Sequence, residues 1–347
     1  MPRLRRSDPS TPGITRRRHG GGFVYLDPEA GRITDPEVVQ RVKSLVIPPA
    51  WTDVWICPHP NGHLQAVGTD AAGRRQYLYH PAWRARRDGE KFDRMIEFGR
   101  SLPRLRRVAA MHLRQQGLRR DRVLACAARL LDRGFFRVGS EAYAENNGSV
   151  GIATIEKSHV TCDGETVTFD YPAKGGKQRV QSVVDADVCA VVQGLKRRRG
   201  GGEDLLAFRK GSCWVDLRSE DINAYIKEHT GGEFTAKDFR TWHGTVLAAI
   251  SLAVAAPASV SPSGQKRAMT WAVKEVAHYL GNTPAVCRAS YIDPRVFDAY
   301  RSGVTISGAL EEIGADSLER PPVQSAIEQA VLDLIAGEDS PAIERAA

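Results

Sequence analysis

Short runs rich in β-branched and aromatic residues alternate with polar turn residues between residues 22 and 80. Runs of this length, bounded by turn signals, are typical of strands in an antiparallel sheet. The pattern therefore predicts a small β-sheet near the start of the chain. Its strands are expected at Gly22–Asp27, Asp53–Cys57, His63–Thr69 and Arg74–Tyr79.

After Pro81 the hydrophobic period becomes that of an α-helix. Apolar residues from Val123 to Leu131 fall on one helical face, and Gly134 then ends that helix. Capping residues predict three further helices and one short helical turn. These are Ser219–Glu228, Thr235–Val254, Ser263–Leu280 and the turn from Thr283 to Tyr291.

One β-rich segment interrupts the helices. Val150–Val160 and Thr166–Tyr171 flank a turn at Cys162-Asp163-Gly164, and Gln178–Val183 can add a third strand. We therefore predict an α+β fold. A small antiparallel β-rich N-terminal domain is followed by a larger, mostly α-helical domain that contains a β-hairpin.

Composition divides the chain into three regions. Residues 1–21 combine arginine clusters with serine, proline and glycine, which cannot bury apolar surface, so a flexible basic tail is expected. Residues 22–85 form the β-rich domain, and residues 86–347 form the mainly helical domain, with a hinge near residue 85. The acidic stretch after Asp316 is expected to form a surface helix.

The chain of 347 residues carries a formal charge of +8, and its basic residues are concentrated ahead of the C-terminal third. This distribution favours a phosphate-bearing partner, although many basic proteins bind no nucleic acid. The cysteines are scattered without zinc spacing, so reduced thiols and no metal site are expected. Because no apolar run reaches membrane-spanning length and no secretion signal is evident, a cytoplasmic location is expected.

Transfer of a phosphodiester to a protein hydroxyl needs a nucleophile, cations around the phosphate and an acid for the departing sugar oxygen. Residues of these types stand at helix stops, at a glycine-flanked turn and in a capped helix. Taken singly, each is more often a solvated charge, a cap or a packing residue, and only the combination suggests chemistry. They are Arg137, Lys174, Arg240, Asn282 and Tyr291.

Four segments carry a resemblance to a known family. They read GTDAAGRRQYLYH (Gly68–His80), FFRVGSEAYAENNGSVGIATI (Phe135–Ile155), KDFRTWHGT (Lys237–Thr245) and LGNTPAVCRASYIDP (Leu280–Pro294). Together they resemble the type IB topoisomerases, specifically the small branch found in poxviruses and bacteria. The segments occur in the family's order and cover most of the chain, so the combined signal is highly specific.

The resemblance implies a role for each candidate. Tyr291 in CRASY corresponds to the nucleophile that becomes joined to the 3′ phosphate, and Arg137 and Arg240 correspond to the two arginines that grip the scissile phosphate. Lys174 in YPAKGGK corresponds to the hairpin lysine that, with the first arginine, protonates the leaving 5′ oxygen. Lys177 is the alternative, because the glycine spacing differs from the viral pattern.

Asn282 is the clearest departure, because viral and nuclear members carry histidine at this position. An amide can donate a hydrogen bond to a nonbridging oxygen, but it cannot carry a positive charge. The N-terminal match implies DNA contacts by Gln76, Tyr77 and Tyr79. Tyr143 corresponds to a family residue near the phosphate, with an ordinary, partly buried tyrosine as the alternative.

As a whole, the resemblance implies an enzyme that relaxes supercoiled duplex DNA. It would cut and religate one strand through a 3′-phosphotyrosyl intermediate, without ATP, metal or another cofactor. The implied form is a monomer that closes as a clamp around duplex DNA, in the cytoplasm with the nucleoid.

Two other classes of DNA-binding protein share some of these features. A tyrosine recombinase uses the same nucleophile and cations, but it typically has histidine two residues before the second arginine, where this chain has Asp238, and its N-terminal arm is usually helical. A non-enzymatic architectural DNA-binding protein would explain the basic charge with fewer assumptions. It would not explain why the five candidate residues fall in the family's order.

Overall fold

The computed structural model describes residues 3–139, 148–258, 261–313 and 321–345. The chain forms two compact units, Met1–Phe92 and Asp93–Ala347. The boundary between them falls inside the helix Pro81–Leu113, which also contains residue 85, where a hinge was expected.

The first unit is built on a five-stranded antiparallel sheet. Its core contains Ile56 and Ala66 from the sheet together with Val42 from a helix that Asp35 caps. The strands predicted from the sequence are confirmed, and one more strand is present. The elements are β1 (Ile14–His19), β2 (Gly22–Leu26), α1 (Pro36–Ser44), β3 (Thr52–Ile56), β4 (Leu64–Thr69) and β5 (Arg75–Tyr79), in sheet order β2-β1-β3-β4-β5.

The additional strand β1 corrects the prediction that residues 1–21 form a flexible tail. Ile14 is 4% exposed and belongs to the core of the sheet. The Arg16 guanidinium lies 4.2 Å from the centre of the Phe23 ring and donates hydrogen bonds of 2.7–3.0 Å to three backbone carbonyls of residues 47–51. A basic run can therefore form a strand, because carbonyl oxygens and an aromatic face satisfy its charge.

The second unit is mostly helical. Its helices are α2 (Pro81–Leu113, which begins in the first unit), α3 (Arg120–Gly134), α4 (Ala186–Lys196), α5 (Ser219–Thr230), α6 (Ala236–Ala255), α7 (Pro262–Leu280), α8 (Pro284–Ser290), α9 (Pro294–Arg301), α10 (Ser307–Ile313) and α11 (Pro321–Ala336). No helix in the described ranges has both the length and the apolar character needed to cross a membrane. The α+β fold is confirmed.

Helix α6 forms the centre of the second unit. Phe239 and Trp242 on this helix are fully buried, and the Phe239 ring meets the Phe98 ring edge-on at 5.0 Å between centroids. Gly99 lets α2 approach closely, because a Cβ at this position would lie 2.7 Å from the Trp242 ring. The helix that carries Arg240 is therefore held rigidly by large aromatic contacts.

Short antiparallel sheets interrupt the helices. The second and third predicted strands are confirmed as β7 and β8 of a sheet in the order β6-β7-β8, whereas a second hairpin, β9-β10, was not predicted. The strands are β6 (Val160–Asp163), β7 (Thr166–Ala173), β8 (Lys177–Val184), β9 (Ala207–Lys210), β10 (Cys213–Asp216), β11 (Val304–Thr305) and β12 (Glu344–Arg345).

The strand predicted at residues 150–160 is wrong for most of its length, since two short 3-10 turns occupy residues 152–154 and 157–159. Backbone groups of this segment donate instead to the chain around Arg137, with Ile152 N bonded to Arg137 O at 2.8 Å. Gly151 and Gly139 are in contact, because a Cβ at residue 151 would lie 2.4 Å from the Gly139 nitrogen. Pairing with the Arg137 segment replaces the expected hairpin pairing.

The acidic C-terminal stretch is not a surface helix as expected, because α11 packs into the second unit. Its residue Glu328 is buried and accepts a 2.6 Å hydrogen bond from Arg106 of α2. The same guanidinium donates to Asp132 of α3 at 2.7 and 2.9 Å. Burial alone would raise the pKa of Asp132, but the positive charge of Arg106 outweighs it and lowers this pKa.

Candidate active site

A cavity of about 250 Å³ in the second unit collects four of the five residues predicted to carry chemistry. They come from a loop after α3, the turn of the β7–β8 hairpin, the first turns of α6 and the end of α8. Its lining residues are Arg137, Val138, Gly139, Ser149, Val150, Lys174, Ala236, Lys237, Arg240 and Tyr291.

Arg240 is held at the start of α6, where the predicted cap is present: Asp238 accepts hydrogen bonds from the Thr235 backbone and hydroxyl at 2.7 and 3.0 Å. The Arg240 side chain is 4% exposed, and its two terminal nitrogens donate to the carbonyls of Phe135 (2.8 Å) and Leu280 (2.7 Å). Both carbonyls belong to residues at helix ends, which carry partial negative charge. The guanidinium is therefore oriented by two helix termini.

The Arg240 guanidinium also contacts the predicted nucleophile, with its central carbon 5.3 Å from the centre of the Tyr291 ring. Burial lowers the pKa of Arg240 to about 10, and the positive charge of Arg137 adds to this effect, while a hydrogen bond with Tyr291 opposes it. A buried and a half-buried cation that repel each other favour an anion between them. The arrangement suits a phosphate diester.

Arg137 follows α3, which ends at Phe135 in a left-handed conformation with φ of 55°. One terminal nitrogen of Arg137 donates to the Gly281 carbonyl at 3.0 Å and to Asn282 Oδ1 at 2.6 Å. Gly281 itself ends α7 with φ of 59°, a conformation that glycine adopts without a steric penalty. The ends of α3 and α7 therefore meet at the two arginines.

Asn282 contacts Arg137 rather than lining the cavity. Its side-chain oxygen accepts from the Arg137 guanidinium, and Asn282 is not among the described residues in the cavity wall. An amide that uses its oxygen in this way orients the arginine. The geometry thus gives Asn282 a positioning contact where the resemblance implies a hydrogen bond to phosphate.

Lys174 occupies the turn of the β7–β8 hairpin. The last pair of the ladder is Ala173 with Lys177, and Gly175 and Gly176 complete the turn with φ of 82° and 71°. Lys174 lines the cavity, whereas Lys177 is an exposed strand residue outside its described wall. Between the two lysines, this geometry favours Lys174.

The backbone around Tyr291 is fixed against α6. The Tyr291 nitrogen donates to Cys287 O at 2.9 Å, and Gly244 of α6 lies against the Tyr291 carbonyl. Two residues further on, the Asp293 nitrogen donates to the Thr245 hydroxyl at 3.1 Å. A single helix therefore carries Arg240 and supports the segment that presents the tyrosine.

One turn after Arg240, α6 carries the buried His243. Its ring packs edge-on against the Phe135 ring at 5.1 Å between centroids, and its Nε2 lies 4.0 Å from Asp132. Neither ring nitrogen has a hydrogen-bond partner among the residues that the structure describes. Burial lowers the pKa of His243 below its ordinary value, against the opposing effect of Asp132.

Sequence reasoning missed two cations near the site. Lys237 lines the cavity one turn before Arg240, and its position in the KDFRTW segment could have suggested this. Arg179 of β8 donates to the backbone carbonyl of Tyr279, close to the end of α7. No sequence pattern indicated that contact, because it joins a strand to a helix distant in the chain.

The predicted DNA contacts of the first unit lie on β5. Tyr77 and Tyr79 are 45% and 39% exposed, and their rings stack at 6.3 Å between centroids with an interplanar angle of 19°. Gln76 lies on the opposite face of the strand, and its side-chain amide donates a hydrogen bond to Asp70 at 2.9 Å. The structure therefore brings the two tyrosines together but engages Gln76 elsewhere, and Tyr143 lies outside the described residues.

Comparisons with known proteins identify the family of the chain. The family model "Eukaryotic DNA topoisomerase I, catalytic core" matches residues 80–305, and "Bacterial DNA topoisomerase IB, N-terminal domain" matches residues 22–70. A DNA topoisomerase 1B of Acanthamoeba polyphaga mimivirus is 31% identical over 300 residues, which cover 84% of this chain and 88% of the relative. The DNA topoisomerase I of monkeypox virus is 22% identical over 279 residues, or 79% of this chain and 84% of the relative. The chain therefore belongs to the small type IB DNA topoisomerases.

Proposed function

We propose that this enzyme relaxes supercoiled duplex DNA by cutting one strand through a 3′-phosphotyrosyl intermediate and then religating it. The observation that carries the proposal is the contact of the Arg240 guanidinium with Tyr291 in a cavity that also holds Arg137 and Lys174. A nucleophile, two phosphate-binding cations and an acid are the groups that this transfer requires.

In the proposed reaction, the Tyr291 oxygen attacks the scissile phosphorus and loses its proton to solvent. Arg137 and Arg240 offset the negative charge that grows on the nonbridging oxygens. Lys174 donates a proton to the 5′ oxygen as its bond to phosphorus breaks, which leaves a free 5′ hydroxyl.

Religation reverses these steps. The phosphotyrosyl link conserves the energy of the broken phosphodiester, so the 5′ hydroxyl can attack the phosphorus and release Tyr291. Rotation of the DNA between the two steps dissipates supercoils downhill. The proposed reaction accordingly uses side-chain cations and requires neither ATP nor a metal ion. Asn282 takes part by holding Arg137.

DNA binding is proposed to involve both units. The exposed, stacked Tyr77 and Tyr79 of β5 offer phenol hydroxyls to groove edges or backbone oxygens. Gln76, on the other face of β5 and bonded to Asp70, is proposed as a further DNA contact. A monomer that closes as a clamp around duplex DNA in the nucleoid completes the proposal. Binding should weaken steeply with salt as counterions are released.

The tyrosine recombinase alternative is disfavoured by Asp238. This residue stands where recombinases typically have histidine, and its carboxylate caps α6 through Thr235. A helix cap is a sufficient structural role for that position. Exchange of strands between two specific DNA sites would favour the recombinase.

The decisive test is relaxation of a supercoiled plasmid with chelator and without nucleotide, followed by detergent trapping of the covalent adduct. Tyr291→Phe should bind DNA but show neither relaxation nor adduct. Tyr300→Phe is the matched control, because that phenol oxygen is buried without a hydrogen-bond partner in the described part of the chain. Relaxation by Tyr291→Phe would overturn the proposal, and absence of any adduct from the unmodified protein would favour an architectural DNA-binding protein.

A further inference from the structure

Three consecutive backbone carbonyls at the end of α7 each accept a hydrogen bond from a different arginine. Leu280 O accepts from Arg240 and Gly281 O accepts from Arg137, as described above. The carbonyl before them, that of Tyr279, accepts from Arg179. The third arginine therefore shares a helix end with the two that are proposed to bind phosphate, although it belongs to β8.

The strand geometry directs Arg179 toward the body of the unit. Gln178 and Val180 on either side are exposed, whereas Arg179 is half-buried, as the period of two requires. Across the hairpin, Arg179 pairs with Tyr171 of β7. Burial lowers the pKa of Arg179, and the nearby Tyr171 hydroxyl, which is hydrogen-bonded to it, opposes this shift.

Arg179 is also joined to a second helix end through Gln181. The Arg179 guanidinium donates to the Gln181 side-chain oxygen, and the Gln181 amide donates to the carbonyl of Gly134, the last residue of α3. The hairpin is thus tied to the end of α3, just before Arg137, and to the end of α7, just before Asn282. Arg179 makes the tie to α7 itself, and it also holds the side-chain oxygen of Gln181, which makes the tie to α3.

Lys174 lies at the turn of this same hairpin. The ladder closes at the pair Ala173 with Lys177, and the pair of Tyr171 with Arg179 lies two residues further along each strand. Gly175 and Gly176 give the turn beyond the ladder positive φ angles, and glycine restricts the backbone less than any other residue. The position of the lysine relative to the arginines therefore depends on how the hairpin is held.

We propose that Arg179 is a positioning residue that fixes the Lys174 hairpin against the two helix ends that present Arg137 and Arg240. It acts through Lys174, because Arg179 is not among the described residues that line the cavity. The inference rests on the proposed role of Lys174 as the acid for the leaving 5′ oxygen. A lysine displaced by about 1 Å can lose on the order of 100-fold in rate.

The test compares single-turnover cleavage of two DNA substrates by Arg179→Met, which keeps the length of the side chain but removes its donors. One substrate has the natural 5′ oxygen at the scissile bond, and the other has a bridging sulfur, which leaves without protonation. We expect Arg179→Met to cleave the oxygen substrate about 10- to 100-fold more slowly than the unmodified protein. On the sulfur substrate its rate should return to within a few-fold of the unmodified protein.

Two further variants separate positioning from damage to the fold. Gln178→Ala alters the exposed face of the same strand, where Gln178 bonds Asp170, and should cleave both substrates normally. Arg179→Lys keeps one donor and should lie between Arg179→Met and the unmodified protein. If Arg179→Met does not fold, Arg179→Lys carries the same comparison, with sulfur recovery as the expected result.

Lys174→Ala makes the possible failures distinguishable. If the sulfur substrate restores the cleavage rate of Lys174→Ala but not that of the Arg179 variants, Arg179 does not act by positioning Lys174. The proposed role of Lys174 as the acid would still stand. If the Arg179 variants cleave both substrates equally slowly, the lost cleavage rate comes from phosphate binding or from general damage to the structure. That result would also overturn the positioning role of Arg179. No recovery of Lys174→Ala itself would overturn the proposed acid and, with it, this inference.

Discussion

Gly244 of α6 lies directly against the main-chain carbonyl of Tyr291, so that a Cβ at residue 244 would come within 2.4 Å of that oxygen. A Cβ essentially never comes this close to another heavy atom, so a larger residue must displace the tyrosine segment. The position of the proposed nucleophile thus depends on the absence of a side chain one turn after Arg240.

Gly244→Ala should therefore slow formation of the covalent adduct on the order of 100-fold, while DNA binding changes little. The control is Gly89→Ala, because Gly89 also lies in a helix but has open space where a Cβ would stand. That variant should keep its cleavage rate and gain up to about 1 kcal/mol in stability. Quench-flow experiments measure the cleavage rates, and urea titration measures the stability. A normal cleavage rate for Gly244→Ala would show that the glycine is not needed to place Tyr291.

Asn282 offers a test of whether it acts through Arg137 or on DNA. If its oxygen only orients Arg137, Asn282→Ala should cost about 10-fold in the unmodified background and almost nothing in Arg137→Ala. A double-mutant cycle of single-turnover cleavage rates measures this. Independent, multiplying losses would show instead that the amide contacts the phosphate itself.

The hairpin predicts different behaviour for its two lysines. Lys174→Ala should slow cleavage of the oxygen substrate by about 100-fold or more and recover on the bridging-sulfur substrate. Lys177→Ala should cleave both substrates like the unmodified protein, since Lys177 lies outside the described cavity wall. Sulfur recovery confined to Lys177→Ala would mean that the two roles are exchanged.

His243 predicts a pH dependence of stability. Because burial lowers its pKa in the folded state, the unfolded chain takes up the proton first as pH falls below about 6.5. The contribution of the neutral ring is therefore complete above that value and is lost on acidification. Between pH 7 and pH 5 the free energy of unfolding should therefore fall more steeply than in His243→Gln.

Urea titrations at several pH values provide the measurement for His243. The charged groups that face its ring are Asp132, Glu328, Arg106 and Arg240. Asp132 has a lowered pKa and titrates below this window, so the difference between the two proteins isolates the histidine. Parallel curves for the two proteins would contradict a buried, neutral ring.

The ion pairs of the acidic C-terminal stretch differ in their expected contribution to stability. Glu328→Gln leaves the partly buried Arg106 without one of its two carboxylates and should lower the free energy of unfolding by about 2 kcal/mol. Glu338→Gln breaks a pair with Arg100 in which both side chains are more than half exposed, and should change stability by less than about 0.5 kcal/mol. Equal urea midpoints for the two variants would disprove the packed role of α11.

Local patterns predicted most of the elements. Helix α6 was recognisable because Thr235 and Asp238 form a cap ahead of an apolar run, and the strands of the first unit follow from turn residues between β-forming runs. The strand β1 was missed because its arginines suggested solvent, whereas three carbonyls accept from Arg16. Such acceptors come from distant parts of the chain and leave no local signal.

The order of the four sequence segments predicted which residues belong to the candidate site. It could not predict how these residues are arranged in space. The sequence placed Arg137, Lys174, Arg240 and Tyr291 on separate elements, and the structure brings all four to one cavity. That Asn282 faces an arginine depends on where α3 and α7 end in space. A rotation of either helix end by one residue would change the contact without changing any motif.

Phe135 adopts a left-handed conformation that costs a non-glycine residue roughly 1 kcal/mol. Its ring contacts to His243 and Tyr279 offset that penalty, and its carbonyl is one of the two that hold Arg240. Glycine would relieve the torsional strain but lose the aromatic contacts, so the alignment of the guanidinium is conditional on packing in the interior. A cavity opened beneath this ring would therefore disturb the alignment of Arg240 and slow the proposed reaction, without altering any group that is proposed to contact DNA.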